Sequence, residues 1–174
     1  MRGRLAGLLA ALGLAASCTG TDGTGPELAL VDESRRDALV AEVREVASDP
    51  FASGVLVPLE AFFDGNGDIG SIAPNLASHP GTEAIYAGLV EVRERPEVDA
   101  VLVDVLVEYE GPLPEGVWPF GQAVIVVTSA SPSEVDGWLV NLGSSESFAG
   151  LWSEPSLGLP IPPSGFDTVV VWWD

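Results

Sequence analysis

The sequence has 174 residues and a formal net charge of −19, with 26 acidic residues against seven basic ones, all arginine. So acidic a chain lacks the basic footprint that nucleic acid and anionic lipid surfaces require. One cysteine and one histidine exclude a disulfide framework and leave too few ligands for a zinc, copper or non-haem iron site.

The chain opens Met1-Arg2-Gly3-Arg4, and Leu5 to Ala16 then holds only leucine, alanine and glycine. This is the build of a secretory signal, its apolar run too short for a stable membrane span. It closes on Ala15-Ala16-Ser17-Cys18, which resembles a bacterial lipobox, with Ala15 where leucine is usual. The resemblance implies that residues 1–17 are removed and that Cys18 is lipidated as the mature N-terminus. The expected location is the bacterial cell envelope, facing outside the cytoplasm, with the lipid anchor as the one membrane contact. Loss of Arg2 and Arg4 leaves five basic residues against 26 acidic ones, a mature charge of −21. Residues 18–31 are the anchor and a small, polar tether whose nine residues 19–27 reach ~15–18 Å. Residues 32–174 suit a single α+β domain.

Asp32 to Ala47 reads as a helix with Leu39, Val43 and Val46 on one stripe, stopped by Asp49-Pro50. Val55 to Leu59 is a short strand, and Glu60 to Gly81 is irregular. A second helix starts near Thr82 and ends before Pro96, with Ile85, Leu89 and Val92 inward. Val98 to Glu108 is a valine-rich strand, broken by Asp104. A Pro/Gly loop to Gly121 precedes another strand, Gln122 to Thr128. Ser131-Pro132-Ser133-Glu134 is a helix start: serine as N-cap, proline at N1, glutamate at N3. That helix carries Val135, Trp138, Leu139 and Leu142. Residues 143–165 form a second long loop, and Asp167 to Trp173 is the last strand.

With the first helix set aside, the order is β-α-β-β-α-β. It predicts a ferredoxin-like α+β sandwich with sheet order 4-1-3-2 and an extra N-terminal helix. In that winding the long loops 60–81, 109–121 and 143–165 share one end of the sheet, where binding residues usually lie. The strands are apolar on both faces, as in Val124-Ile125-Val126-Val127, so both faces need cover. The first helix is the expected cover for the second face.

Asp64-Gly65-Asn66-Gly67-Asp68 is the one stretch resembling a metal loop, with alternate oxygen-bearing side chains that can wrap a calcium ion. Ile69 and Asn75 stand where an EF-hand loop has glycine and glutamate, and a tight turn explains the same residues. His79 precedes Pro80 without a Gly-x-Ser-x-Gly elbow anywhere, so a structural role fits it better than a catalytic one. Glu108 and Glu110 share a strand face, but no third group marks a glycosidase. Trp118, Phe120, Phe148 and Trp152 place aromatics in two of the long loops. They read either as local packing under the long loops or as a partner-binding patch, partly exposed and rimmed by Asp64, Asp68, Glu115, Glu146 and Glu154.

Three stretches together carry a resemblance: Phe62-Phe63-Asp64-Gly65-Asn66-Gly67-Asp68-Ile69-Gly70-Ser71-Ile72, Trp118-Pro119-Phe120, and Val171-Trp172-Trp173-Asp174. They are similar to an uncharacterised domain family of high-GC bacteria, over about residues 55–174. Members of that family often lack a signal, so the leader here is a departure. The resemblance implies one domain and no particular chemistry. The expected function is a non-catalytic, membrane-anchored lipoprotein domain that binds a partner protein, as an immunity or accessory factor would, with no cofactor. The alternatives are a calcium-dependent binding or adhesion module using Asp64, Asn66 and Asp68, and a carboxylate-based glycan-acting enzyme.

Overall fold

The computed structural model describes residues 30–47, 54–107, 110–143, 146–150 and 157–173. Cys18, the tether up to residue 29, Glu108, Trp152 and Glu154 lie outside the described residues. Helix α1 spans Glu33–Val46, opened by Asp32, whose carboxylate accepts from the N–H groups of Ser34 and Arg35. Strand β1 (Val55–Pro58) runs directly into the short helix α2 (Leu59–Phe63), and a 3-10 turn follows at Ile69–Ser71. Helix α3 (Thr82–Arg93) leads to the long strands β2 (Val98–Leu106) and β3 (Phe120–Thr128). Helix α4 (Pro132–Leu139) begins as its sequence predicts: the Glu134 carboxylate accepts from both the N–H and the hydroxyl of Ser131. A 3-10 turn at Val140–Leu142 and strands β4 (Glu146–Ala149) and β5 (Asp167–Trp172) complete the described elements.

The chain is α+β, but its sheet is not the predicted one. The order is β1-β2-β3-β5-β4, and every neighbouring pair is antiparallel. The ferredoxin-like order 4-1-3-2 is therefore overturned: Val55 pairs with Val105 of β2, and β1 is an edge strand rather than the partner of β3. The physical reason lies in the stretch read as an irregular loop. A single helix between two strands returns the chain in its first direction, whereas the further turn through α2 and the 3-10 segment reverses it once more. The second half keeps the predicted logic in another form. β3 and β4 both lie antiparallel to β5, hence parallel to each other, with α4 between them in sequence and β5 slotted between them in space.

All four helices share one face of the sheet. Leu39 and Val43 of α1, Leu59 and Phe62 of α2, Ile85 and Leu89 of α3, and Val135 and Leu139 of α4 form one core with Val57, Val103, Val124, Val126 and Val171. At about 25 cal/mol per Å² of apolar surface, this is the dominant stabilisation. The expectation that α1 covers the opposite face is thus overturned. Leu39, Val40 and Val43 go into the main core, whereas Val46, expected on the same stripe, is exposed at the helix end. The buried Arg36 donates to the carbonyl of Pro114 and Arg44 to that of Gly111.

The second face does have cover, as its apolar residues require. Leu56, Ala123, Ile125 and Val170 form a smaller core there, against which Leu102, Phe148 and Leu159 pack. Leu159 belongs to a strap, residues 157–166. The strap starts at the β1 edge, where the Leu56 N–H donates to the Leu157 carbonyl at 2.8 Å and the Leu157 N–H to Gly54 at 3.0 Å. It then runs back to β5, past β2 and β3. No helix among the described residues is long and apolar enough to cross a membrane.

Candidate binding site

The sheet ends in a cleft built around an irregularity of β3. Ala123 lies opposite Asp104 and Gly121 opposite Val105, so Gln122 has no partner of its own. Such a bulge re-aims a side chain. Here Gln122 Nε2 lies 2.8 Å from Asp104 Oδ2. A carboxylate can only accept, so the amide must turn its NH2 toward Asp104 and its carbonyl oxygen away. Asp104 is 1% exposed, and it fits only because Gly54 leaves room: a Cβ on Gly54 would sit 1.8 Å from Asp104 Oδ1.

Gln122 lines a cleft of about 310 Å³ together with Ala73, Pro74, Asn75, Phe120, Trp172 and Trp173. Phe120 and Trp172 are half-buried, and Trp173 is buried. The wall at 73–75 is held by the backbone pairing of Ile72 with Gly121 and by His79. His79 Nδ1 accepts from the Gly81 N–H at 2.9 Å, and Nε2 lies 2.9 Å from the Ile72 carbonyl oxygen. The first bond requires an unprotonated Nδ1, so Nε2 carries the hydrogen and donates to Ile72. Both ring nitrogens are thereby engaged by backbone. Ala73 sits at φ 52°, the one described non-glycine residue with a positive value, a conformation that costs an L-residue about 1–2 kcal/mol. Strain of this kind clusters at sites where a loop must hold one shape.

A second, smaller cavity of about 130 Å³ lies beside the first and shares Phe120 with it. Asp68, Ser71, Val117 and Trp118 are among its lining residues. Asp68, Trp118 and Phe120 are therefore brought together, as the loop argument expects. The predicted exposure of Trp118 is overturned: it is 2% exposed, a wall of the core rather than a contact surface. Its buried indole N–H finds no acceptor among the described residues. Phe148 lies elsewhere, half-buried against the second-face core. Of the third loop, Gly143 lies against Leu76 of the first, whereas its described later parts are β4 and the strap. Gln122 carries no motif and was missed, and Trp172 stands in the terminal Val171-Trp172-Trp173-Asp174 stretch, which names no site role for it. The bulge that aims Gln122 depends on a register no single strand announces.

Asp64, Asn66 and Asp68 of the candidate calcium loop each bond within the protein. Asn66 is buried and its amide bonds Ser71 Oγ and the Asp68 N–H. Asp68 Oδ1 caps the Gly70 N–H and Oδ2 accepts from the Trp118 N–H. Asp64 ion-pairs with Arg35 of α1. Among the described residues no group of three or more His, Cys, Asp or Glu could hold a metal ion. The loop is a turn that ties α1, the 3-10 segment and Trp118 together.

A model of the family described as "Uncharacterized protein YfbO family" matches residues 34–171. The chain is also 36% identical over 129 residues to "Uncharacterized protein YfbO" of Escherichia coli (strain K12), which spans 73% of this chain and 88% of that protein. No solved structure matches. The family match begins at α1 rather than at β1, so the helix belongs to the shared unit.

Proposed function

The chain belongs to the YfbO family, and we propose that it is a non-catalytic, lipid-anchored binding domain that holds a partner protein in the cleft between Phe120 and Trp172. The observation that carries this reading is the cleft's make-up. Two half-buried aromatics flank it, and half-buried aromatics around a pocket are what partner side chains insert against. Gln122, fixed by Asp104, offers an acceptor of defined direction within that apolar frame. The net charge of −19 favours a basic partner and speeds its approach. Both His79 nitrogens are engaged by backbone, which favours a structural role for this ring over that of a catalytic base. Anchoring through Cys18 would keep the domain at the membrane surface, within the short reach of its tether.

The test compares full-length protein with its Phe120→Ala and Trp172→Ala variants in affinity purification from detergent-solubilised envelopes. A partner recovered with the parent and lost from both variants, at unchanged thermal stability, is the expected outcome. Recovery of the same proteins with all three would sink the cleft as the binding site.

A further inference from the structure

The strap carries a feature that the fold does not use. Its central run is Leu159-Pro160-Ile161-Pro162-Pro163. Each proline fixes its own φ near −65°, and each residue before a proline is pushed into the extended or polyproline II region. Leu159, Ile161 and Pro162 all precede prolines, so every residue of the run is constrained. Burial agrees with the three-residue period of a polyproline II helix. Leu159 and Pro162, three apart, are half-buried, and Ile161 and Ser164, also three apart, are exposed, while Pro160 is half-buried and Pro163 exposed on the side between them. The run is bracketed by Gly158 at φ 90° and Gly165 at φ 87°, and the Phe166 N–H donates to the Pro163 carbonyl at 3.0 Å. Leu159 pins it to the second-face core.

What projects is apolar. Ile161 is 94% exposed, the most exposed large hydrophobic residue among those described. The core does not need it, and prolines on both sides hold it out. A rigid rib of this kind has little conformational entropy left to lose on binding, which is the physical basis of proline-rich recognition.

From this geometry we infer that residues 159–164 are a docking rib for a second protein, one that offers an aromatic-lined groove of the kind that reads polyproline II segments. Pro163 and Ser164, both exposed, would lie along the groove, and Ile161 would fill a pocket beside them. The chain's net charge of −19 and the exposed Asp167 just beyond the rib call for a groove with a basic rim. The rib is independent of the cleft at Phe120 and Trp172, and either can fail alone.

The experiment places a photo-reactive amino acid at position 164 of the full-length, anchored protein and irradiates intact cells. The expected result is an adduct to a protein with an aromatic-lined groove. Ile161→Ser and Pro162→Gly should each reduce it about tenfold, as loss of an interface anchor does. Raised salt should weaken it, and the thermal unfolding midpoint of the Ile161→Ser protein should not move. Phe120→Ala should leave it intact. The inference is overturned by the absence of an adduct, by adducts to lipid alone, by a partner without such a groove, or by an adduct that both strap variants leave unchanged.

Discussion

The backbone N–H of Trp118 donates to the Asp68 carboxylate at 3.0 Å, across fifty residues of sequence. The same carboxylate caps Gly70 through its other oxygen. One side chain thereby closes the 3-10 turn and locks the approach to β3 onto it. Asp68→Ala leaves two donors unmatched and should destabilise the fold by roughly 1–3 kcal/mol. Denaturant unfolding measures it, and an unchanged midpoint would show that the bond contributes nothing.

Trp118 itself is a packing residue. Trp118→Ala should cost on the order of 3–5 kcal/mol of stability. Trp118→Phe should cost clearly less, because it keeps an aromatic wall and removes a donor without an acceptor. Equal losses for the two variants would contradict this account.

Gly54 and Asp104 cannot both keep their places once a methyl group is added. Gly54→Ala should lower stability by about 1–3 kcal/mol through overpacking. Gly54→Ala combined with Asp104→Ala should recover much of that loss. Strict additivity of the two changes would rule out the contact.

Ala73 holds a left-handed backbone where glycine would be unstrained. Ala73→Gly should be neutral or stabilising by up to about 1 kcal/mol, against the usual penalty for introducing glycine. His79→Ala removes two backbone partners from the same wall and should cost about 1–3 kcal/mol. Thermal melts of both variants test whether this wall is held as described.

Two carboxylates shape the acid limb. Arg93 donates to Glu60 at 2.7 Å, and this bond, aided by a backbone one, holds the Glu60 carboxyl below its ordinary 4.5. The Ser131 N–H and then its hydroxyl do the same for Glu134. A lowered folded value means stability that is present above about 4.5 and is lost as pH falls through the folded value. Glu60→Gln and Glu134→Gln should therefore each make the decline of stability below that pH shallower. A steeper acid limb in either variant would reverse the sign of this argument.

Much of the local structure was legible. The periodic apolar residues of 32–47 and 82–95, the Ser131 cap and the valine runs mark elements that the fold contains, with ends shifted by a few residues. The apolar character of both strand faces correctly required two cores. Pairing was not legible. Val55–Pro58 carries nothing that says whether its neighbour is β2 or β3, and the answer depends on a five-residue helix, Leu59–Phe63, too short to show a period. Glu146–Ala149, four residues long, disappears into a long loop for the same reason. Of the candidate site, Phe120 and Asp68 were visible as an aromatic and an acid in neighbouring loops. Gln122 was not, because its role comes from a bulge set by strand register, and Trp118 looked like a contact because sequence does not distinguish a loop's rim from its floor.

The position of β5 has a temporal consequence. The last strand to be synthesised sits between β3 and β4, and the strap that leads into it starts at the far edge of the sheet. A nascent chain holding everything up to β4 therefore has a gap in its sheet and an uncovered apolar face. Local hairpins and helices can form early, but closure waits for the segment beyond residue 157. Contacts of such sequence separation slow folding. A keystone delivered last keeps the sheet open until the segment beyond residue 157 has arrived.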